Sequence, residues 1–548
     1  MNEKKIIIKN TKGIITVHSP YDERLVNIFR SLTNRQWDPD EKAWKVGITS
    51  LNEEFIPLVK NLGGFTIVFD KSYEYEYNSM NKKEIKLDLK LKLYKYQEEG
   101  VKKLVNNRSF LLADEMGLGK TVQTIAAIQV LGLKNVLIYC PNSLKRQWKE
   151  EIEKFTDLTC TVIEGNKLQR QKKWMEKSIM KIVNYENKDD TSKFPWDCVV
   201  LDEASRIKNY KTKTFKRIVS IKSVFRWALS GHPIENTVVD LYSIFKFVNP
   251  LVFGSYNNFK ETFLITEVGI NLNGGVFEII IDYKNLDKMK EEIAPYYLRR
   301  EKKDVLKELP DVVKEHIYVD LNKNEVKIYN QLVKMTANEI EKIKVNEPFN
   351  IIGLIQLMRV LCNGETCFKW SNSSVPEVQD IIREAGYSSS KVKELINLLE
   401  ELFKEGDDKI IIFSSFVKPL KLLEKELDKK GVKYSSLYGE IKNRDEQISS
   451  FKNDKDNRVL LSQTNTGGYG LNLQEANRVI FLNRPWNPAT EEQAISRCHR
   501  MGQKKTVFVH YILTQGTIED RVNELLNEKK FISKKVIVEN SESLLLKV

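Results

Sequence analysis

The chain of 548 residues is 41% hydrophobic and 30% charged and carries a formal net charge of +13. Its length is too great for one ordinary core and implies two to four domains, and its composition excludes a disordered or collagenous chain. The positive charge fits either a polyanionic partner or a merely soluble surface, so the motifs have to separate the two.

At the N-terminus, MNEKKIIIKN has too short an apolar run for a signal-peptide core, and no stretch approaches the roughly 18 uncharged apolar residues of a membrane helix. A soluble, cytoplasmic protein with no membrane partner is expected. Residues Ile6 to His18 carry two β-rich runs around Asn10-Thr11-Lys12-Gly13, the composition of a hairpin. A helical pattern from Tyr21 to Leu32, a short strand at Trp44 to Val46, a helix from Ser50 to Gly63-Gly64 and a strand at Phe65 to Phe69 follow. Together they predict a small α+β domain over residues 1–78. Lys71 to Lys90 alternates charge with tyrosine, has no apolar face and reads as a linker.

Apolar strands at Phe110 to Ala113, Val136 to Cys140 and Cys198 to Leu201 alternate with helical segments, which predicts a parallel sheet covered by helices over residues 79–240. Residues 241–390 read as mainly helical, with a hairpin turn at Asn273-Gly274-Gly275. Strands return at Ile410 to Phe413, Val459 to Leu461, Val479 to Leu482 and Val507 to Ile512, predicting a second lobe over 391–530 and a tail at 531–548. The expected fold class is α/β: two parallel-sheet lobes, a mainly helical insertion and a small N-terminal α+β domain. The six cysteines, Cys140, Cys160, Cys198, Cys362, Cys367 and Cys498, form no C-x-x-C pair; reduced, structural thiols are expected, and no zinc.

The chemistry concentrates at strand ends. Phe110 to Ala113 runs into Asp114-Glu115-Met116-Gly117-Leu118-Gly119-Lys120-Thr121, and Val122 to Val130 reads as a helix, so the loop lies where a helix N-terminus meets an anion. Gly117 and Gly119 let backbone N–H groups approach the phosphates of ATP, Lys120 bridges the β and γ phosphates and the Thr121 hydroxyl ligates Mg²⁺. Asp114 stands where the strict pattern has glycine. The strand Trp196 to Leu201 leads into Asp202-Glu203-Ala204-Ser205, where Asp202 is expected to hold Mg²⁺ through water and Glu203 to polarise the attacking water. Arg497 and Arg500, three residues apart on an expected helix, share a face that either reaches across a cleft or is simply solvated.

With these segments in place, residues Leu91 to Leu526 resemble a Swi/Snf-type ATPase of helicase superfamily 2. That resemblance implies two RecA-like lobes whose site closes on ATP, a DNA partner (duplex, forked or junction) and movement along DNA by a monomer. Leu93-Tyr94-Lys95-Tyr96-Gln97 is similar to the family's adenine-sensing segment, with Gln97 as the nucleotide contact. Pro141 to Trp148 is similar to its DNA-contacting segment, which carries over Asn142, Ser143, Gln147 and Trp148. Ser230, Gly231 and Pro233 match the coupling motif of the first lobe. Phe253-Gly254-Ser255-Tyr256, Leu298-Arg299-Arg300 and Lys302-Lys303-Asp304-Val305-Leu306 match Swi/Snf-type signatures absent from ordinary helicases. In the second lobe, Thr466-Gly467-Gly468-Tyr469-Gly470 and Trp486-Asn487-Pro488 resemble gripping and gating segments. They imply DNA contacts at Thr466, Gly467, Gly468 and Trp486 and a nucleotide contact at Gly470, while Arg497 and Arg500 take the arginine-finger role. His232 stands where the family has threonine, and Ser205 where histidine or glutamine is frequent, which puts the coupling of hydrolysis to motion in question.

The N-terminal stretch Gly13 to Val46, with Asn34-Arg35-Gln36-Trp37-Asp38-Pro39 and Trp44, resembles the HepA-related (HARP) domain of annealing helicases. This implies recognition of branched DNA through Trp37 and Trp44 and a role in replication or repair. The plainer alternative makes both tryptophans core residues of a small module. Two other readings stand beside the translocase: a HepA/RapA-like remodeller that strips proteins or RNA polymerase from DNA, and a DNA-binding scaffold with a decayed ATPase.

Overall fold

The computed structural model describes residues 4–11, 14–32, 35–46, 51, 55–62, 64–69, 89–90, 92–270, 276–343, 351–371, 376–464, 472–524 and 526. The described chain forms two compact units, with the principal change between them at Val305 and Leu306. No described helix is long and apolar enough to cross a membrane.

In the first unit the N-terminal residues form β1 (Lys4–Thr11), β2 (Ile14–His18), β3 (Arg35–Asp38), β4 (Ala43–Val46) and β5 (Phe65–Phe69), joined in the order β3-β4-β2-β1-β5. Alternation fixes the faces: Ile6, Ile8, Ile15, Val17 and Val46 are buried with Leu25 and Phe29 of helix Glu23–Ser31 and with Phe55 and Val59. Asp22 caps that helix, accepting from the Arg24 N–H at 3.1 Å. Apart from Leu89 and Lys90, the expected linker lies outside the described residues.

The larger sheet of this unit contains β6 (Ser109–Leu112), β7 (Val136–Cys140), β8 (Cys160–Val162), β9 (Met180–Asn184), β10 (Trp196–Asp202) and β11 (Ser223–Leu229). A hairpin, β12 (Leu264–Ile270) with β13 (Val276–Tyr283), precedes the short edge strand β14 (Tyr297–Leu298). The expected turn at Asn273-Gly274-Gly275 lies outside the described residues. The order β14-β6-β11-β10-β7-β9-β8 is parallel throughout. It therefore brings the C-terminal ends of β6, β11, β10 and β7 to one edge of the sheet, where open α/β sheets bind ligands. Near-continuous apolar runs such as Val136–Cys140, buried at all five positions, reflect helices on both faces.

The second unit carries β15 (Val312–Val319), β16 (Lys409–Ser414), β17 (Tyr434–Leu437), β18 (Val459–Gln463), β19 (Ala476–Phe481) and β20 (Val507–Thr514), in the order β15-β20-β19-β16-β18-β17. These strands are also parallel. Helices Lys323–Ile343, Ile351–Leu361, Pro376–Glu384 and Ser390–Glu405 fill most of the expected helical insertion. One strand inside that insertion corrects the expectation: Val312–Val319 pairs with β20 along its whole length, so the second sheet begins well before residue 391. Its sequence, VVKEHIYV, places exposed charge at the sheet edge, which protects an edge strand and hides the alternation that would have revealed it. Deep in this unit the Lys391 ammonium donates to both Glu519 oxygens at 2.8 and 2.7 Å, and Asn483 adds a third bond at 3.3 Å. Removing one member of such a buried pair typically costs about 3–5 kcal/mol.

Candidate nucleotide site

Where β6 ends, the chain enters the phosphate loop. Gly117 and Gly119 adopt φ of 88° and 77°, left-handed backbone that favours glycine. A Cβ at Gly119 would stand 2.5 Å from Gln97 Nε2, so this turn also needs glycine for a close approach. Gly119 is the N-cap of helix Lys120–Leu131 and provides no side-chain cap, leaving first-turn N–H groups directed at the loop. Lys120 and Thr121 are the first two residues of that helix. The Lys120 ammonium donates to the Asp114 carbonyl at 2.8 Å. Burial pushes its pKa down, while Glu203, Asp114 and Asp202 pull it back towards the charged form.

Gln97 is buried beside the same loop. Its side-chain oxygen accepts from the Tyr94 N–H at 3.1 Å, and its amide donates to the Leu118 carbonyl at 3.3 Å. Asp114 departs from its expected role as a nucleotide contact. Its carboxylate is fully buried and accepts from Arg300 Nε at 3.0 Å, Arg300 Nη2 at 2.5 Å and Gln123 Nε2 at 3.1 Å. It shapes the loop from beneath and turns its backbone carbonyl, not its side chain, towards Lys120.

At the end of β10, Asp202 is 6% exposed and Glu203 takes φ 52°, ψ 58°. A non-glycine residue held there stores about 1–3 kcal/mol of strain, a cost that clusters at functional positions. Burial and the Glu203 carboxylate push the Asp202 pKa up, while the Trp148 indole and the Lys120 ammonium oppose them. Tyr185 Oη donates to the Asp202 backbone carbonyl at 2.8 Å and fixes the strand end. Neither the Tyr185 nor the Arg300 contact is announced by local spacing, because both partners are distant in sequence.

Trp148 corrects the DNA-contacting set. Its side chain is 1% exposed, and its Nε1–H donates to Asp202 Oδ2 at 2.7 Å, so it orients the carboxylate from within the core. Asn142 and Ser143 lie exposed in the turn after β7, and Gln147 is half-buried. Were Asp202 to hold Mg²⁺ as the sequence suggests, Trp148→Phe, which keeps the packing and deletes the donor, would raise the Mg²⁺ concentration for half-maximal ATP turnover by about 10-fold to 100-fold, the scale for partners of metal ligands. A Mg²⁺ titration at fixed ATP measures it, and an unchanged midpoint would remove Trp148 from the site.

The Ser230-Gly231-His232-Pro233 turn follows β11, between the ends of β6 and β10. A Cβ on Gly231 would meet Met116 Cγ at 2.5 Å, which documents how closely this turn approaches the phosphate loop. Ser205 and His232 share a neighbour, Glu235. Burial works against ionisation of Glu235, yet Lys208, Ser205 and His232 together hold its carboxyl below the ordinary range. Both departures from the family pattern therefore bear on the charge of one carboxylate.

In the second unit, Asn487 caps helix Pro488–Ile495 through the Ala489 N–H at 3.0 Å, with Pro488 at its first position. Trp486 is 37% exposed, and the Arg359 guanidinium lies 4.8 Å from its ring centre. The helix ends at Ile495, so Arg497 and Arg500 sit in the irregular turns that follow it rather than on a helical face. Both are half-buried. The buried Cys498 lies between them, and Gln503 Nε2 anchors the segment to the Ala476 carbonyl at 2.9 Å and the Gln474 carbonyl at 3.0 Å. Thr466, Gly467, Gly468 and Gly470 lie outside the described residues.

The N-terminal tryptophans divide between the two readings offered for them. Trp44 stacks on Phe29 at 5.0 Å and packs, half-buried, against the domain core, the place the plainer reading gives it. Trp37 is 47% exposed and meets Trp44 only edge-on, at 5.3 Å. Asp38 belongs to the β3–β4 turn, accepting from the Asp40 and Glu41 N–H groups at 2.9 and 3.0 Å.

A phosphate loop and an adjacent Asp-Glu pair at one edge of a parallel sheet, in a chain with a second parallel α/β sheet, define a nucleotide-binding protein of helicase type. The SNF2-related domain family matches residues 21–367 and the helicase conserved C-terminal domain matches residues 390–502. The chain belongs to the SNF2-related family. It is 33% identical to an uncharacterized ATP-dependent helicase of Mycoplasma pneumoniae over 88% of this chain and 45% of that protein. To the ATP-dependent DNA helicase DDM1 of Arabidopsis thaliana it is 31% identical, over 78% of this chain and 60% of the relative. The chain thus spans about half the length of these curated relatives. The Sulfolobus solfataricus SWI2/SNF2 ATPase core in complex with dsDNA is 32% identical, covering 82% of this chain and 94% of that one, with a TM-score of 0.39.

Proposed function

We propose that the protein is a DNA-dependent ATPase that converts ATP hydrolysis into movement along double-stranded or branched DNA. The observation that carries this reading is the convergence of Lys120, Asp202-Glu203 and Ser230-Gly231 at neighbouring strand ends of one parallel sheet. Family membership supports the use of ATP, and similarity to a DNA helicase together with the net charge of +13 supports DNA as the partner. The first-turn N–H groups and Lys120 hold the phosphates, and Gln97 borders the adenine. Thr121 and Asp202 are a donor set suited to Mg²⁺, a hard cation taking oxygen ligands beside phosphate, which would neutralise charge on the transferring group. Glu203 orients the attacking water, and Arg497 and Arg500 stabilise charge on the leaving phosphate.

A second reading, favoured by the exposure of Trp37, gives the N-terminal domain the HARP-like task of directing the ATPase to forks or annealing strands, in replication or repair. An exposed aromatic can stack on an unpaired base, which duplex DNA does not offer. ATP turnover on single-stranded, duplex and forked DNA tests both. Stimulation by duplex is expected, with forked DNA better still and that advantage lost in Trp37→Ala. Absence of DNA stimulation overturns the translocase, and equal response to fork and duplex overturns the junction role alone.

A further inference from the structure

Arg300 stands 186 residues beyond Asp114 in sequence, yet it is bonded into the floor of the phosphate loop. Its guanidinium grips Asp114 with two prongs, at 3.0 and 2.5 Å, and donates to Gln123 Oε1 at 3.0 Å and to the Tyr96 carbonyl. It also lies 5.3 Å from the Tyr96 ring centre. One side chain therefore joins the loop, the helix that follows it and the segment that carries Gln97. The main chain around it runs alongside the loop: Ala113 N–H donates to the Leu298 carbonyl at 2.7 Å, Glu115 N–H to the Arg300 carbonyl at 2.9 Å, and Lys302 N–H to Glu115 Oε2 at 2.7 Å. Arg299 extends the strap, donating to the Gly231 carbonyl at 2.8 Å and the Ala113 carbonyl at 3.3 Å.

Space has been kept for this arrangement. A Cβ at Gly100 would overlap Gln123 Oε1 and stand 2.9 Å from Arg300 Nη2, so helix Lys95–Asn106 uses glycine at the point where it passes the node. The electrostatics explain why a partner is required. Asp114 is fully buried, and its charge acts on Lys120, the residue that meets the phosphates. Without Arg300, an uncompensated carboxylate would face an anionic ligand across the loop, in a medium that screens it poorly.

We infer that Arg300 is a positioning residue for ATP: by neutralising and orienting Asp114 it sets the phosphate loop in its binding shape, and it ties that shape to the Leu298–Val305 segment leading into the second unit. The inference rests on the ATP-binding reading above. It explains the aspartate at the position where the strict phosphate-loop pattern has glycine. There the side chain is the loop's anchor to a distant strap, a role glycine has no side chain to perform.

The test is a charge-balance cycle read by equilibrium binding of a fluorescent ATP analogue to the full chain with Mg²⁺. Arg300→Gln is expected to weaken binding about tenfold or more, and Arg300→Gln with Asp114→Asn to recover most of the loss, because a neutral pair can bond without repelling phosphate. In steady state the defect falls on KM for ATP more than on kcat. Arg300→Lys keeps the charge and guards against a folding failure; losing the two-pronged bond, it is expected to weaken binding several-fold. Single and double variants with equal affinity, or an Arg300→Lys protein that binds as the wild type does, overturn the inference while the ATPase reading stands. Failure of the wild-type chain to bind the analogue overturns both.

Discussion

Glu203→Gln is expected to abolish ATP turnover while leaving ATP binding close to that of the wild type. The substitution keeps size and shape, so the backbone bond from the residue 203 N–H to Asp202 Oδ1 at 3.0 Å survives. What it removes is the carboxylate that this strand end turns outward: the Asp202 carboxylate accepts from the Trp148 indole and the residue 203 N–H, whereas Glu203 is turned out of the strand by its left-handed backbone. Loss of a positioned base typically costs about 10²-fold to 10⁴-fold. Phosphate release measured beside binding of a fluorescent ATP analogue separates the two quantities. Turnover within about tenfold of wild type would mean that another group orients the water.

Arg500→Ala is expected to reduce DNA-stimulated turnover by about 10³-fold to 10⁵-fold, the range for arginine fingers in phosphoryl transfer. The segment around it is built to hold side chains in place rather than to remain a solvated basic helix. Cys498 is fully buried, His499 Nε2 lies 2.7 Å from the Pro310 carbonyl, and Gln503 is bonded to three carbonyls. Stopped assays at saturating ATP and DNA report the loss, and Arg497→Ala provides the comparison. A wild-type rate in either variant removes that arginine from the catalytic set and favours an electrostatic contact to DNA, which a shallower salt dependence of DNA affinity would reveal.

How much was legible depended on the range of the interaction. The strand-loop-helix from Phe110 to Leu131 could be read because glycine at positive φ, an uncapped helix start and an apolar strand each leave a local sign. The strand Val312–Val319 left none, since its partner β20 lies nearly 200 residues on and its own side chains are mostly exposed. Trp148 was assigned to DNA through the resemblance of Pro141 to Trp148 to a DNA-contacting segment, but its helical phase points it into the core at Asp202. The paired arginines after Ile495 were expected on a helical face and instead occupy turns, because the helix finishes two residues before the first of them.

From the sequence alone came the order of the parts: two parallel sheets, a helical insertion, a small N-terminal domain and the residues able to meet phosphate and metal. These follow from periodicity and from short motifs, both of which are local. Tertiary structure decided which of those residues face one another. It buried Asp114 under the loop with Arg300, turned Trp148 from a surface contact into a support for Asp202, and separated the packed Trp44 from the exposed Trp37. Charge balance in a buried site depends on distances across the sheet, and the spacing of residues along a chain carries no information about those distances.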